Sequence, residues 1–257
     1  ATQVISRIAC IFHVSMPIRS LFQFPTVKLL AQNLEQRLYQ SDPEVQVIES
    51  HQKTGKLPLS PSQKRVWFLE QLLPIKHVYH LPYVLKVTGE IDKHGIEIAF
   101  QKLVERHPSF RTTFLEEDGI AYQIVSDDVK VCMEQLDLRA ASDPNEEAKR
   151  DIAREVEIPF CLHSSPLIRM KLYQVSSNEF YLFFLMHHLI ADGWSLSILS
   201  RELFHFYENF LLDQEPSLPE LILAPSDLAY HLEAVSQTDL GKEHLNYWKE
   251  KLANVTP

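Results

Sequence analysis

The spacing of apolar side chains changes along the chain and separates a short helical region from a longer mixed one. Near the start, isoleucine, valine and phenylalanine recur three to four residues apart, which predicts a helix closed by Pro17. A second amphipathic helix is predicted after Pro25, with Thr26 as its N-cap. Residues 1–40 are therefore expected to be all helical.

The next segment, residues 41–57, shows no sustained hydrophobic period. It is polar and contains Pro43 and Gly55, which is typical of a linker between domains. From Pro58 onward, helical and alternating patterns follow one another along the chain. We therefore expect a mixed α/β domain, of the α+β two-layer type, over residues 58–257.

Individual elements follow from the same patterns. Helices are predicted over residues 61–73, 92–106, 142–158, 194–212, 226–235 and 240–252, with Asp92 capping the second of them. Strands are predicted over residues 79–88, 110–115, 121–125, 129–133, 167–175 and 180–186. The last two strands are expected to form a hairpin.

Composition narrows the class of protein. A content of 45% hydrophobic and 23% charged residues is that of an ordinary soluble globular protein. A net charge of -9 argues against a nucleic-acid partner or an anionic membrane surface, because both favour basic faces. No apolar run is long enough to span a bilayer.

The cysteines indicate a cytoplasmic protein, and the start of the chain indicates a segment of a longer one. Cys10, Cys132 and Cys161 are far apart, which is typical of reduced, mostly buried thiols and not of a disulfide or zinc framework. The chain begins with neither an initiator Met nor a signal peptide, so we expect a segment from within a longer protein.

Candidate chemistry is concentrated in residues 183–195, where an apolar strand leads into two histidines and the start of a helix. Alternation along a strand sends His187 and His188 to opposite faces. Asp192 can cap the helix or neutralise a buried arginine, and Gly193 permits close backbone approach. The spacing alone is equally consistent with a purely structural interpretation, in which the histidine is a core residue and Asp192 only caps the helix. A zinc site is not favoured, because HExxH is absent and no Cys or Glu lies at ligand spacing.

Four segments together carry a resemblance to a known family. Residues 186–195 (MHHLIADGWS) resemble the HHxxxDG motif of condensation domains of nonribosomal peptide synthetases. Residues 60–69 resemble the opening SxAQxRxWxL motif, with Ser62 where Ala is usual, and residues 106–114 resemble RHExLRTxF, with Pro108 in place of Glu. Residues 226–230 partly match YxDYA and keep Asp227.

The resemblance implies a chloramphenicol-acetyltransferase-like fold in which two lobes enclose the active site. Residues 245–252 look like the helix that closes the amino-terminal lobe, so residues 58–257 would be that lobe without its carboxy-terminal partner. Residues 1–40 resemble the last three helices of a peptidyl carrier domain. The serine that bears phosphopantetheine would then lie upstream of Ala1, and Ser6 is not that serine.

The family's reaction is peptide-bond formation, in which the amine of an acceptor aminoacyl thioester attacks a donor peptidyl thioester. The resemblance implies that both substrates arrive on 4'-phosphopantetheine arms of donor and acceptor carrier domains, with an adenylation domain and the missing lobe as further partners. It implies no metal. His188 would orient the amine and accept its proton. Gly193 would leave room for substrate, and its amide would face the oxyanion.

The remaining motif residues are expected to have structural roles. We predict that Asp192 is a buried carboxylate paired with Arg106 or Arg111, and that Asp192→Ala therefore misfolds. His187 is expected to make a structural hydrogen bond. Trp194 either lines the tunnel or covers the site. Trp67 and Trp248 are predicted to be core residues.

Related functions stay open at this point. Heterocyclisation domains replace both motif histidines, which His187 and His188 argue against. An epimerisation-type domain, another HHxxxDG acyltransferase and an inactive carrier-docking half-domain are the alternatives. The sequence does not determine which amino acids are joined, although the motifs look most like the subclass that joins two L-residues.

Overall fold

The computed structural model describes residues 2–12, 14, 16–39, 48–51, 54–253 and 255, which divide into two compact units. In the first unit, Ala1–Ile48, the described residues include three helices, in the region predicted to be helical: α1 (Thr2–Phe12), α2 (Ser20–Gln23) and α3 (Val27–Tyr39). Its small core joins Val14, Met16 and Leu34 to Ile5, Ile8 and Leu30.

The second unit, Glu49–Pro257, is mixed helix and sheet. Its helices are α4 (Pro61–Leu72), α5 (Lys93–Arg106), α6 (Pro144–Glu157), α7 (Gly193–Leu211), α8 (Pro225–Gln237) and α9 (Asp239–Leu252). Its strands are β1 (Leu57–Pro58), β2 (His80–Thr88), β3 (Thr112–Glu117), β4 (Ile120–Val125), β5 (Met133–Asp137), β6 (Ile168–Gln174) and β7 (Glu179–His187).

The larger sheet has the strand order β2-β7-β6-β5. Its first two pairs are antiparallel, including the predicted β6–β7 hairpin, and β5 runs parallel to β6. In this register His80 lies opposite His187, at the end of β7. A smaller sheet has the order β1-β4-β3.

The central strand β7 is buried on both faces, which explains its nearly continuous apolar sequence. Phe184 and Met186 belong to the main core, which also contains the buried faces of α5 and α7. Phe183 and Leu185 pack with Ala148 of α6. The helix α6 therefore adds cover to the second face, beyond the two layers that the sequence predicted.

The predicted strand over residues 129–133 is wrong in position, since β5 begins at Met133. The side chain of Gln101 on α5 takes the place of a strand partner for the preceding segment. Its amide nitrogen donates to the Val129 carbonyl at 3.0 Å, and its oxygen accepts the Val131 N–H at 3.0 Å. Backbone groups satisfied in this way need no ladder.

The predicted linker, residues 41–57, differs from the observed boundary. Residues 41–47 lie outside the described part of the chain, but Leu57 of β1 is buried and pairs with Gln123 of β4. Upstream of it, the His51 N–H donates to the buried Asp227 carboxylate at 2.9 Å. The end of the predicted linker is thus part of the second unit.

Two expectations about burial are wrong. Trp67 is buried as predicted, but Trp248 is 58% exposed and α9 buries none of its residues. Cys132 and Cys161 are exposed, and the side chain of Cys10 lies outside the described residues. Apolar spacing on a helix shows that a face can be buried, and it does not show that anything covers that face. None of the helices in the described ranges is long and apolar enough to cross a membrane.

Candidate active site

The candidate site lies where β7 ends and α7 begins. β7 ends at His187 and α7 begins at Gly193, so five residues connect them. The last of these, Asp192, is the N-cap of α7. The ladder continues one residue past the strand, since the His188 N–H donates to the Tyr79 carbonyl at 2.8 Å. The backbone that carries His188 is therefore anchored to Tyr79, the residue that precedes β2.

His187 and His188 occupy opposite environments, as alternation along β7 predicted. The side chain of His187 is 1% exposed, whereas His188 is exposed. No residue in the described ranges hydrogen-bonds the His188 ring. An imidazole with free nitrogens at a solvent-accessible edge can exchange protons with a bound molecule.

The His188 cleft is the open groove beside this ring, with a volume of about 290 Å³. Besides His188, the side chains that line it are chiefly those of Arg65, Val66, Asp192, Ser195 and Leu228. These come from the second turn of α4, from the N-cap and first turn of α7, and from the first turn of α8. Three helices that begin around one imidazole give a concave site with both apolar and polar walls, as expected for a small-molecule site.

The His187 pocket, on the other side of the strand end, is formed by Glu70, His80, Phe160 and His187. The Leu189 N–H donates to Nδ1 of His187 at 3.2 Å. Nδ1 is therefore unprotonated, and the ring proton on Nε2 is donated to Oε1 of Glu70 at 3.1 Å. The edges of the His80 and Phe160 rings complete the pocket.

Burial governs the ionisation of this pocket. Burial, together with the charge of neighbouring His188, lowers the pKa of His187 to about 4. The pKa of Glu70 is raised by burial, against the opposing effects of Lys76 and His80. The contact between His187 and Glu70 is accordingly a neutral imidazole N–H donating to a carboxyl group. An imidazolium would lose the acceptor that holds the Leu189 amide.

The prediction that Asp192 is buried and paired with an arginine is wrong. Asp192 is exposed and accepts hydrogen bonds from the N–H and the hydroxyl of Ser195, at 2.9 and 2.7 Å. Partial burial would raise its pKa, but the bonds from Ser195 and from the Trp194 N–H outweigh burial and lower the pKa. Asp192 is the N-cap of α7, the simpler of the two roles that its spacing allowed.

Arg106 and Arg111 have other partners. Arg106 donates to buried Glu202 of α7 at 3.0 Å and to the Pro219 carbonyl at 2.6 Å, and His107 shares the same carboxylate at 2.7 Å. Arg111 donates to the Val104 and Glu105 carbonyls, both at 3.2 Å, and to that of Ser126. Both arginines end up near the carboxyl end of α5, where cations are favourable.

Gly193 and Trp194 are the first two residues of α7. A Cβ added at Gly193 would meet no atom within 4 Å, so the glycine leaves free space beside the cleft. Trp194 is 59% exposed and is not among the residues that line the cleft.

Two residues of α4 build the site beyond the predicted site residues: Gln63, which belongs to the opening motif but was assigned no role, and Glu70. Gln63 donates to the Leu189 carbonyl at 3.1 Å, and Glu70 holds the ring that accepts the Leu189 N–H. Their spacing of seven residues on a predicted helix places them on one face, which was the available signal. Within the described ranges, no group of three or more His, Cys, Asp or Glu side chains could hold a metal ion.

Comparisons with known proteins point in one direction. The family model of the Condensation domain matches residues 53–257. Tyrocidine synthase 3 of Brevibacillus parabrevis is 31% identical over 257 residues, which cover 100% of this chain and 4% of that protein. The dimodular nonribosomal peptide synthase of Bacillus subtilis (strain 168) is 32% identical over 260 residues, or 99% of this chain and 11% of that protein. The chain thus spans a small part of these relatives.

Solved structures share the fold. The starter condensation domain of rhizomide synthetase RzmA superposes with a TM-score of 0.72 at 21% identity, over 79% of this chain and 49% of that one. The first condensation domain of the CDA synthetase gives 0.70 at 20% identity, over 78% and 51%. The predicted fold class is thereby confirmed, and the match spans about half of each of those domains.

Proposed function

Because this chain belongs to the condensation-domain family of nonribosomal peptide synthetases, we propose that it carries the amino-terminal half of a catalyst that joins two thioester-bound substrates through an amide bond. The acceptor amine attacks the donor thioester carbonyl, a tetrahedral intermediate forms, and the donor thiol leaves. The observation that carries the proposal is the exposed imidazole of His188, held at the tip of a buried strand in an open cleft.

His188 is assigned the proton of the attacking amine. An α-amine has a pKa near 8, so roughly a tenth of it is neutral at pH 7, and deprotonation before attack gains only about tenfold. The larger contribution is to orient the amine and take its proton as the intermediate collapses, worth about 10²–10⁴-fold. A ring without a hydrogen-bond partner among the described residues suits this role.

The substrates are proposed to enter on 4'-phosphopantetheine arms of donor and acceptor carrier domains. The chain's residues fit such an arm, since Val66 and Leu228 give the His188 cleft an apolar wall and the free space at Gly193 leaves room beside the ring. When bound, the arm supplies an activated thioester. His188, Gly193 and the α7 N-terminus that Asp192 caps then orient that ester, with the Gly193 amide proposed to face the developing oxyanion.

The other parts of a synthetase are proposed as partners. We assign residues 1–40 to the end of a preceding carrier domain, because tyrocidine synthase 3 matches this chain over its whole length, including the region ahead of the family match. The assignment fits the compact helical unit of α1 to α3. An adenylation domain, the second condensation lobe and a cytoplasmic location complete the proposal.

The proposal is tested with the synthetase that contains this chain. Peptide transfer between two loaded carriers is measured for the parent, for His188→Ala and for His94→Ala, an exposed histidine of α5 that serves as the matched control. We expect His188→Ala to lower the transfer rate about 10²–10⁴-fold and His94→Ala to leave it unchanged. Undiminished amide formation by His188→Ala contradicts the proposal.

A further inference from the structure

The backbone around His188 is held from both sides by side chains of one helix. On one side of Leu189, its carbonyl accepts a hydrogen bond from Gln63 at 3.1 Å. On the other side, its N–H donates to the ring of His187, and that ring donates to Glu70 at 3.1 Å. Gln63 and Glu70 both belong to α4 and lie two turns apart on the same face. Both polar groups of the residue after His188 are thus fixed by α4.

The remaining backbone bonds leave His188 little freedom except rotation of its side chain. Its own N–H is bonded to Tyr79, and the Ile190 N–H donates to the His187 carbonyl at 3.0 Å. Gln63 is itself fixed, since its amide oxygen accepts the Ser60 N–H at 2.9 Å in the capping box of α4. Among the groups that hold this backbone, the imidazole of His187 is the least fixed, because its ring proton can lie on either nitrogen.

Only one tautomer of His187 serves this arrangement. With the proton on Nε2, Nδ1 accepts the Leu189 N–H. With the proton on Nδ1, two donors would face one another and the amide would be left unpaired in a buried place, which is costly. A partner that accepts from Nε2 selects the useful tautomer, and Glu70 is that partner.

We propose that Glu70 is a positioning residue for His188: by accepting the Nε2–H of His187, it fixes the tautomer that holds the Leu189 amide and so aims the catalytic imidazole into the cleft. This inference rests on the proposed function, because it takes His188 as the group that acts on substrate. Glu70 itself is buried, and its carboxyl group contacts the site through His187. Its role requires a hydrogen-bond acceptor at a set distance and does not require a negative charge.

The two conservative variants of Glu70 separate distance from charge. Glu70→Gln keeps the length of the side chain and an acceptor oxygen but removes the charge. Glu70→Asp keeps the charge but shortens the reach by one methylene. We expect Glu70→Gln to keep kcat within about threefold of the parent and Glu70→Asp to lower it substantially with KM nearly unchanged, since misplacement by about 1 Å can cost about 10²-fold. The reverse ranking would overturn the proposal.

A matched control accounts for general destabilisation. Glu202 is another buried glutamate that accepts from a histidine Nε2, that of His107, on α7 away from the cleft. Glu202→Asp shortens this acceptor by one methylene, as Glu70→Asp does, in a carboxylate that also accepts from Arg106 at 3.0 Å. We expect it to lower the melting temperature without lowering kcat. A fall in kcat equal to that of Glu70→Asp would show that any buried Glu–His pair has this effect, and would overturn the specific role of Glu70.

A spectroscopic readout keeps this test separate from that of the proposed function. The ring ¹⁵N shifts of His187, assigned with His187→Asn, report its tautomer in the chain itself. We expect the Nε2–H form in the parent and in Glu70→Gln, and a mixture in Glu70→Asp. An unchanged tautomer in Glu70→Asp overturns the positioning role whatever the activity. If His188→Ala retains full activity while the tautomer of Glu70→Asp shifts, the proposed function fails and the structural device stands.

Discussion

The two adjacent histidines lie in regions that differ in nearly every physical property. The His187 pocket is closed, and both ring nitrogens of that residue have partners. The His188 cleft is open, and its imidazole has no hydrogen-bond partner among the described residues. One step along a strand separates the two, because successive side chains point to opposite faces.

The difference shows how one chain segment can combine rigidity with reactivity. A buried pocket makes hydrogen bonds strong and holds one arrangement, and it suppresses the charged form of an imidazole. The open cleft leaves the ring of His188 accessible to a bound molecule. The closed region therefore supplies the precision that the open region needs, and the hydrogen bonds of Leu189 connect them.

The largest contrast is expected in stability. His187→Ala leaves Glu70 and the Leu189 amide without partners and opens a cavity, so we expect it to lower the free energy of unfolding by about 3 kcal/mol. His188→Ala removes an exposed ring and should change it by less than about 0.5 kcal/mol. Urea denaturation of both variants measures the contrast. Equal losses would contradict the division into a closed and an open region.

A smaller change in the free energy of unfolding is expected when the pH is lowered. The pKa of His187 falls from 6.5 to about 4 in the folded chain, so between these values the unfolded chain binds more protons. Stability therefore rises with pH across this window and is lost as pH falls through it, by about 2 kcal/mol at pH 5 from His187 alone. The lowered pKa of His80 acts in the same direction, and the raised pKa of Glu70 acts in the opposite one.

The measurement for this prediction is the free energy of unfolding at pH 7 and at pH 5. His187→Asn serves as the comparison, because it lacks the titrating ring, and its stability should depend less steeply on pH. A profile as steep as that of the parent would show that other groups cause the dependence.

The smallest change in stability is expected from replacing Asp192, the N-cap of α7. Because Asp192 is an exposed N-cap, Asp192→Ala should fold normally and cost about 1 kcal/mol, in place of the misfolding that its sequence predicted. Asp143 caps α6 in the same way and is exposed, so Asp143→Ala is the matched control. We expect equal losses of stability by thermal melting, and a lower transfer rate only for Asp192→Ala. Aggregated or unfolded Asp192→Ala protein would contradict the capping role.

The groups that Arg106 and Arg111 bind show why part of the site could not be predicted from the sequence. Arg106, Arg111 and Asp192 were all identified from sequence as charged motif residues, and opposite charge suggested that they pair. In the fold Arg106 meets Glu202 instead, from the middle of a helix that carries no recognisable signal there. Charge makes a pair favourable, but which partner lies within 4 Å depends on how helices are packed.

By itself, the sequence determined the periodic elements, the family, the opposite placement of the two histidines and the position of the cleft-bearing loop between strand and helix. These follow from local spacing and from capping chemistry, which act over a few residues. Only the tertiary structure decided that Glu70 binds His187, that Gln63 holds Leu189 and that Trp248 is exposed. Such contacts join residues more than a hundred positions apart or depend on what covers a face, and no local pattern contains that information.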